Sequence, residues 1–271
     1  MKPADIHDLV SDLKTQGAPF ALATVVRTVA ATAAKAGAKA VIRPDGTISE
    51  GWIGGGCARA AVLRAAREAI GDGAPRLVSI QPRDLLEAHG VKSGETREGV
   101  RFASNMCPSK GTMDVFVEPI MPLPELVILG ASPVAVALAD LGARMGFSRA
   151  IAVPAEDQPA FAEAERRIEG FALDASPAGR RYVVVSTQGR GDEAALRAAL
   201  ASGAEYVAFV GSRAKGAALR QALEEGGLTE EALAPLKVPA GLDIGAVTPD
   251  EIALSILAEI VQVMRRDPGR G

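Results

Sequence analysis

The 271-residue chain is 48% hydrophobic and 23% charged, which supplies two ordinary domain cores and excludes a disordered protein. A net charge of −3 and a pI near 5.6 argue against a general nucleic-acid binder, and no basic run offers itself to an anionic membrane surface. Aromatic residues make up only 4%, so the cores must be aliphatic. In chain order, residues 3–16 carry Ile6, Leu9, Val10 and Leu13 at helical spacing. Asp5, His7, Asp8 and Asp12 interrupt that segment, so neither a signal peptide nor a membrane span is expected, and a cytoplasmic location is. Strands are predicted over residues 20–27, 38–42 and 47–53, the last two joined by the turn Pro44-Asp45-Gly46. Gly54-Gly55-Gly56-Cys57 leads into a helix over residues 58–70, and strands follow at 77–80 and 113–117. Residues 82–106, polar and glycine-containing, read as a long surface excursion.

Residues 118–124 hold three prolines in seven positions, which removes amide donors and fixes φ. The expected boundary therefore lies there: a domain over 1–118, a linker over 119–124 and a second domain over 125–271. Beyond it, strands predicted at 125–129, 149–153, 181–186 and 206–210 alternate with helices at 134–145, 157–167, 192–201, 214–225 and 249–265. The fold class is α/β: an N-terminal mixed α/β domain, then a Rossmann-like parallel-sheet domain with helices on both faces.

Chemistry concentrates in a few places. Gly54, Gly55 and Gly56 let the backbone turn sharply before a helix whose first amides and positive dipole end suit an anion. Cys57, just inside that helix, is placed as a nucleophile or a soft-metal ligand. The plain alternative is a glycine-rich turn followed by a small buried residue. Cys107 sits beside Met106 in a turn-rich loop, either incidental or a second soft ligand, for copper(I), a molybdenum-bound species or transferred sulfur. In the second domain, Gly130-Ala131-Ser132-Pro133 stands where a dinucleotide fold carries its glycine fingerprint. Ser132 replaces the second glycine and Ala135 the third, and Pro154 stands near the usual acidic position, so the NAD(P) signature is poor. Gly211-Ser212-Arg213-Ala214-Lys215 offers amides, a hydroxyl and two cations to a phosphate, or else an ordinary capped helix start. Asp243 lies in a ligand-friendly loop, Gly241-Leu242-Asp243-Ile244-Gly245, ahead of Thr248-Pro249. His7 and His89 are isolated and support neither a triad nor a zinc site.

These motifs together resemble the XdhC/CoxI family, maturation factors of molybdenum hydroxylases such as xanthine dehydrogenase and carbon monoxide dehydrogenase. The resemblance spans nearly the whole chain. It rests on Ala23-Thr24-Val25-Val26-Arg27, Pro44-Asp45-Gly46, Gly55-Gly56-Cys57, Asp114-Val115-Phe116-Val117-Glu118-Pro119, Gly211 to Lys215, and Gly241 to Ala246 with Thr248-Pro249 and Glu251-Ile252-Ala253. It implies a non-catalytic chaperone that binds the molybdenum cofactor, supports its sulfuration and inserts it into an apo molybdenum hydroxylase. The partners implied are that apo-enzyme and a cysteine desulfurase or other sulfur donor, with homodimerisation expected. Cys57 would contact molybdenum or the transferred sulfur, Cys107 would be a second ligand, and a branch serving carbon monoxide dehydrogenase would also handle copper. The chain departs from the family pattern at Arg59, at Ser132-Pro133, around Pro154 and at Gln188. Two competing functions are an NAD(P)-dependent oxidoreductase and a protein-binding scaffold for cofactor assembly.

Overall fold

The computed structural model describes residues 6–106, 110–174 and 179–265. The chain divides into two compact units after Pro122. The first contains α1 (Ile6–Thr15), β1 (Phe20–Val29), β2 (Lys39–Ile42), β3 (Ile48–Gly51), α2 (Gly56–Asp72), β4 (Arg76–Pro82), α3 (Arg83–Ala88), β5 (Thr96–Arg97), β6 (Val100–Asn105) and β7 (Thr112–Ile120). Its seven strands lie in the order β3-β2-β1-β7-β4-β6-β5, antiparallel throughout except for β4 beside β6. Alternation along β1 sends Ala21, Ala23 and Val25 to one face, where Val62, Ala65, Ala66 and Ala69 of α2 meet them. Those helix positions follow an i, i+3, i+4, i+7 rhythm, and small alanines let α2 lie close to the sheet. Leu13 of α1 packs against Phe20 and Val41 in a separate cluster.

Two expectations change here. Residues 82–106 are no mere surface excursion: α3 carries the chain over from β4 to the parallel β6, and β5 folds back on β6. β6 was hard to read because every one of its residues is only half-buried, so no apolar alternation marks it. Pro119 lies within β7, opposite Ala21, rather than in a linker. On its other side β7 pairs with β4 only as far as Val117, so the missing amide of Pro119 costs the sheet no bond there.

The second unit contains β8 (Glu125–Leu129), α4 (Pro133–Arg144), β9 (Ser148–Val153), β10 (Arg166–Glu169), β11 (Arg181–Val185), α5 (Asp192–Ala201), β12 (Tyr206–Phe209), α6 (Arg213–Glu225), α7 (Glu230–Leu233), β13 (Leu236–Lys237) and α8 (Pro249–Arg265). All its strand pairings are parallel, in the order β10-β9-β8-β11-β12-β13. Numbered within the unit this is 3-2-1-4-5-6, the Rossmann order. Leu126, Ile128, Ile151 and Val184 face α4 and α8, while Val127, Leu129, Val183 and Val185 face α5, α6 and α7. The expected helix over 157–167 is replaced by a 3-10 helix, Ala155–Phe161, containing Pro159, and by the edge strand β10. Proline forbids a regular helix there, and the charged run of β10 reads as an amphipathic helix only when its pairing with β9 is unknown. The short elements α7 and β13 also escaped sequence reading.

Arg149 holds this edge together. Its guanidinium donates to Glu165 from Nε at 3.0 Å and from a terminal nitrogen at 2.8 Å, and its backbone amide adds a third bond at 2.7 Å. The guanidinium is the main reason that the Glu165 carboxyl falls from the ordinary 4.5 to about 2. A depressed carboxylate stabilises the fold above its unfolded value, and that contribution is lost as pH falls from about 4.5 towards about 2. Acid unfolding of Glu165→Gln should therefore show a shallower fall in stability across that window than wild type, and identical pH profiles would contradict this.

Candidate functional site

The glycine turn is built at one end of the first sheet. Gly54 and Gly56 have φ of +98° and +56°, and Gly55 between them is extended. The backbone thus reverses out of β3 straight into α2. No side chain caps α2, whose N-cap is Gly55. A Cβ on Gly56 would meet nothing within 4 Å, and one on Gly55 only the ring of Trp52, at 3.8 Å. Gly55 and Gly56, at the uncapped start of a 17-residue helix, are thus exposed beside the half-exposed indole of Trp52. Cys57 is the second residue of this helix.

Other elements converge on the same end. A Cβ on Gly54 would sit 3.8 Å from Ala33 and from Met113, the second residue of β7. Lys110 bridges to Ala31, and the Asn105 side chain donates to the Gly111 carbonyl at 2.7 Å. These contacts anchor the described residues on either side of Cys107, which itself lies outside the described residues. A bulge between Val25 and Arg27 turns Arg27 towards Asp114, with Nε 2.6 Å from the carboxylate. Asp114 also accepts from Ser79 at 2.6 Å, so the Ala23–Arg27 and Asp114–Pro119 motifs interlock as neighbouring strands.

In the second unit the switch point lies between β8 and β11. Gly130 has φ of +111°, and a Cβ there would approach the Ser186 carbonyl oxygen to 2.4 Å. The buried hydroxyls of Ser132 and Ser186 bond at 2.6 Å. Ser132 also accepts from the Ala135 amide at 3.1 Å, and Pro133 at the first helical position has no amide. The first turn of α4 thus retains one donor, the amide of the buried Val134.

The predicted phosphate loop is also engaged. Ser212 caps α6 by accepting from the Lys215 amide at 3.2 Å. The Lys215 ammonium lies 2.6 Å from Asp192, whose carboxylate also accepts from Thr187 and from the Gly189 amide. Burial opposes ionisation of Asp192, but these donors outweigh it and lower its pKa. Arg213 is exposed. Asp243 is exposed on a loop whose base is pinned by Glu259: its carboxylate accepts from Tyr206 at 2.7 Å and from the Gly241 amide at 3.0 Å, and pairs with Lys237. Burial pushes the Tyr206 hydroxyl up to about 12.

Sequence reading missed Trp52, Asp192 and Glu259. Glu259 was findable, since it falls three residues after Ile256 on the apolar stripe of α8. Trp52 carried no signal of its own, because only the folded turn shows its exposure.

The XdhC Rossmann domain matches residues 126–260, and the XdhC and CoxI family matches residues 13–81. The chain belongs to the XdhC and CoxI family. Two curated relatives extend the likeness. "Uncharacterized protein YqeB" of Escherichia coli (strain K12) is 31% identical over 98% of this chain and 47% of its own length. A probable xanthine dehydrogenase subunit of Bacillus subtilis (strain 168) is 28% identical over 57% of this chain and 47% of its own. The chain thus spans about half the length of the curated relatives it matches. A crystal structure of a xanthine dehydrogenase from Bacillus halodurans aligns over 97% of each chain, with 19% identity and a TM-score of 0.47. Within this family chain, the described residues contain no helix long and apolar enough to cross a membrane.

Proposed function

We propose that the chain is a maturation factor for a molybdenum hydroxylase and carries the molybdenum cofactor as cargo at the start of α2. The observation that carries this reading is the uncapped N-terminus of a 17-residue helix, open in front of Gly55 and Gly56, with a cysteine as its second residue. Free amides at a helix start suit the anionic oxygen and sulfur groups around the metal of such a cargo. A cysteine there supplies a soft donor for molybdenum or for sulfur in transit. The exposed indole of Trp52 adds a flat apolar face of the kind on which a planar ring system stacks. A client of the xanthine dehydrogenase class agrees with the name of the Bacillus subtilis relative. Sulfuration support, with a cysteine desulfurase or other donor as second partner, and insertion into the apo-enzyme belong to the same proposal, as does a second sulfur contact from Cys107.

The first loop of the Rossmann unit favours this over an NAD(P)-dependent oxidoreductase. A dinucleotide needs close approach of its pyrophosphate to free amides at the first helix start. Here Ser132 takes one amide, Pro133 lacks another, and the buried serine hydroxyls that follow β8 and β11 bond to each other.

The test is activation of an apo molybdenum hydroxylase in a defined mixture of cofactor, sulfur donor and this protein. Cys57→Ala is expected to lower the activation rate on the order of tenfold or more, a loss that even supporting residues of metal sites produce. Full activity of that variant would sink the cysteine-centred reading and leave a scaffold that assembles partners without holding cargo.

A further inference from the structure

A pocket of about 270 Å³ lies between α2 and β6, the strand next to the sheet edge. Ala60, Ala61 and Arg64 of α2 form one wall, and Val78, Arg101 and Ala103 form the floor. Ala60 and Ala61 follow Gly56 and Cys57 by one helical turn, so the small-residue end of the pocket lies towards the glycine turn. Arg64 stands a further turn along, and Arg101 lies near the start of β6, so the cations gather at the far end. Among the described residues no hydrogen bond or ion pair engages the Arg64 guanidinium. Arg101 is held by Glu68, which fixes its position and leaves the pocket with one net positive charge from these three groups. Ser93 accepts from the Ser104 amide at 3.0 Å and keeps its own proton to donate.

We propose that this pocket is an anion site that takes a phosphate monoester, with Arg64 as its principal cation and Arg101 and Ser93 as supporting donors. A planar guanidinium matches phosphate oxygens in bidentate fashion, and an unpaired one loses no existing partner on binding. The volume sits just below the roughly 300 Å³ at which sites for whole small molecules begin, so it accommodates a phosphate and the few atoms next to it rather than a dinucleotide. The inference deepens the proposed function: the phosphate end of the cargo would occupy this pocket while its metal end lies towards Cys57.

The test is calorimetric titration of the full chain with phenyl phosphate, with phenol as the uncharged control. Phenyl phosphate is expected to bind wild type, to bind Arg64→Gln at least tenfold more weakly, and to recover in part with Arg64→Lys. Arg67→Gln removes the same charge from the same helix, beside the Gly46 turn and outside the pocket, and is expected to change affinity less than twofold. No binding to wild type, equal affinity in Arg64→Gln, equal losses in the two glutamine variants, or phenol binding as tightly as its phosphate would each overturn the proposal. Loss of the cargo reading would show separately, as absence of cofactor binding with the phenyl phosphate titration intact.

Discussion

Gly130→Ala is expected to destabilise the C-terminal unit by about 3 kcal/mol or more. At φ of +111° an alanine is strained, by roughly 1–3 kcal/mol. Its Cβ would also lie 2.4 Å from the Ser186 carbonyl oxygen, and a backbone neighbour cannot swing aside as a side chain can. Such overpacking adds roughly 1–3 kcal/mol. Both tyrosines of the chain, Tyr182 and Tyr206, lie in this unit, and its one tryptophan lies in the other. Urea unfolding followed by tyrosine signals therefore reads the affected unit, while Trp52 emission should report an unchanged transition in the first. The result bears on function as well: in a dinucleotide site the same glycine serves a ligand, whereas here it serves the contact between the β8 and β11 loops. A loss under 1 kcal/mol would mean that the two loops are not packed as described.

Glu259→Ala is expected to cost about 2–4 kcal/mol, since the buried Tyr206 hydroxyl and the part-buried Gly241 amide lose their acceptor at roughly 1–3 kcal/mol each. Glu259 is 3% exposed and joins α8 to β12, β13 and the Gly241 loop through Tyr206, Lys237 and the Gly241 amide. Alanine leaves the buried hydroxyl and the amide without this acceptor, while the Lys237 side chain, 44% exposed, keeps access to water. Glu259→Gln should cost less, since its amide oxygen can still accept from Tyr206 or Gly241 while the Lys237 charge is left unmatched. Equal losses in the two variants, measured by the same tyrosine-monitored unfolding, would show that packing rather than the polar network dominates. Because the Asp243 loop hangs from this anchor, hydrogen exchange at residues 241–247 should rise in both.

The parallel sheet was legible because its strands are buried on both faces and read as short apolar runs, such as Leu126 to Leu129, between helices of regular period. Edge elements were not. β6 is half-buried along its whole length and β10 exposes two of its four residues, so charge and small polar groups blur the alternation that identifies a strand. Pro119 misled for a related reason: a proline excludes a strand only where its amide has a partner to lose. At the candidate site, Gly54 to Cys57 announced themselves through local chain stiffness and helix geometry, which depend on neighbours in sequence. The exposure of Trp52, the pairing of Lys215 with Asp192 and the pocket between α2 and β6 depend on contacts between distant segments, and no spacing rule encodes them.

Trp52, the single tryptophan, stands beside Gly55, so cargo at the start of α2 should alter its emission directly. The most direct measurement is an anaerobic fluorescence titration with molybdenum cofactor, with NAD and NADP in parallel, on wild type, Cys57→Ala and Cys107→Ala. Saturable quenching by the cofactor that weakens tenfold or more in Cys57→Ala, with no response to either nicotinamide, is the expected result. Saturable binding of NAD or NADP without the cofactor, or cofactor affinity unchanged by Cys57→Ala, would contradict the placement of the cargo at the glycine turn.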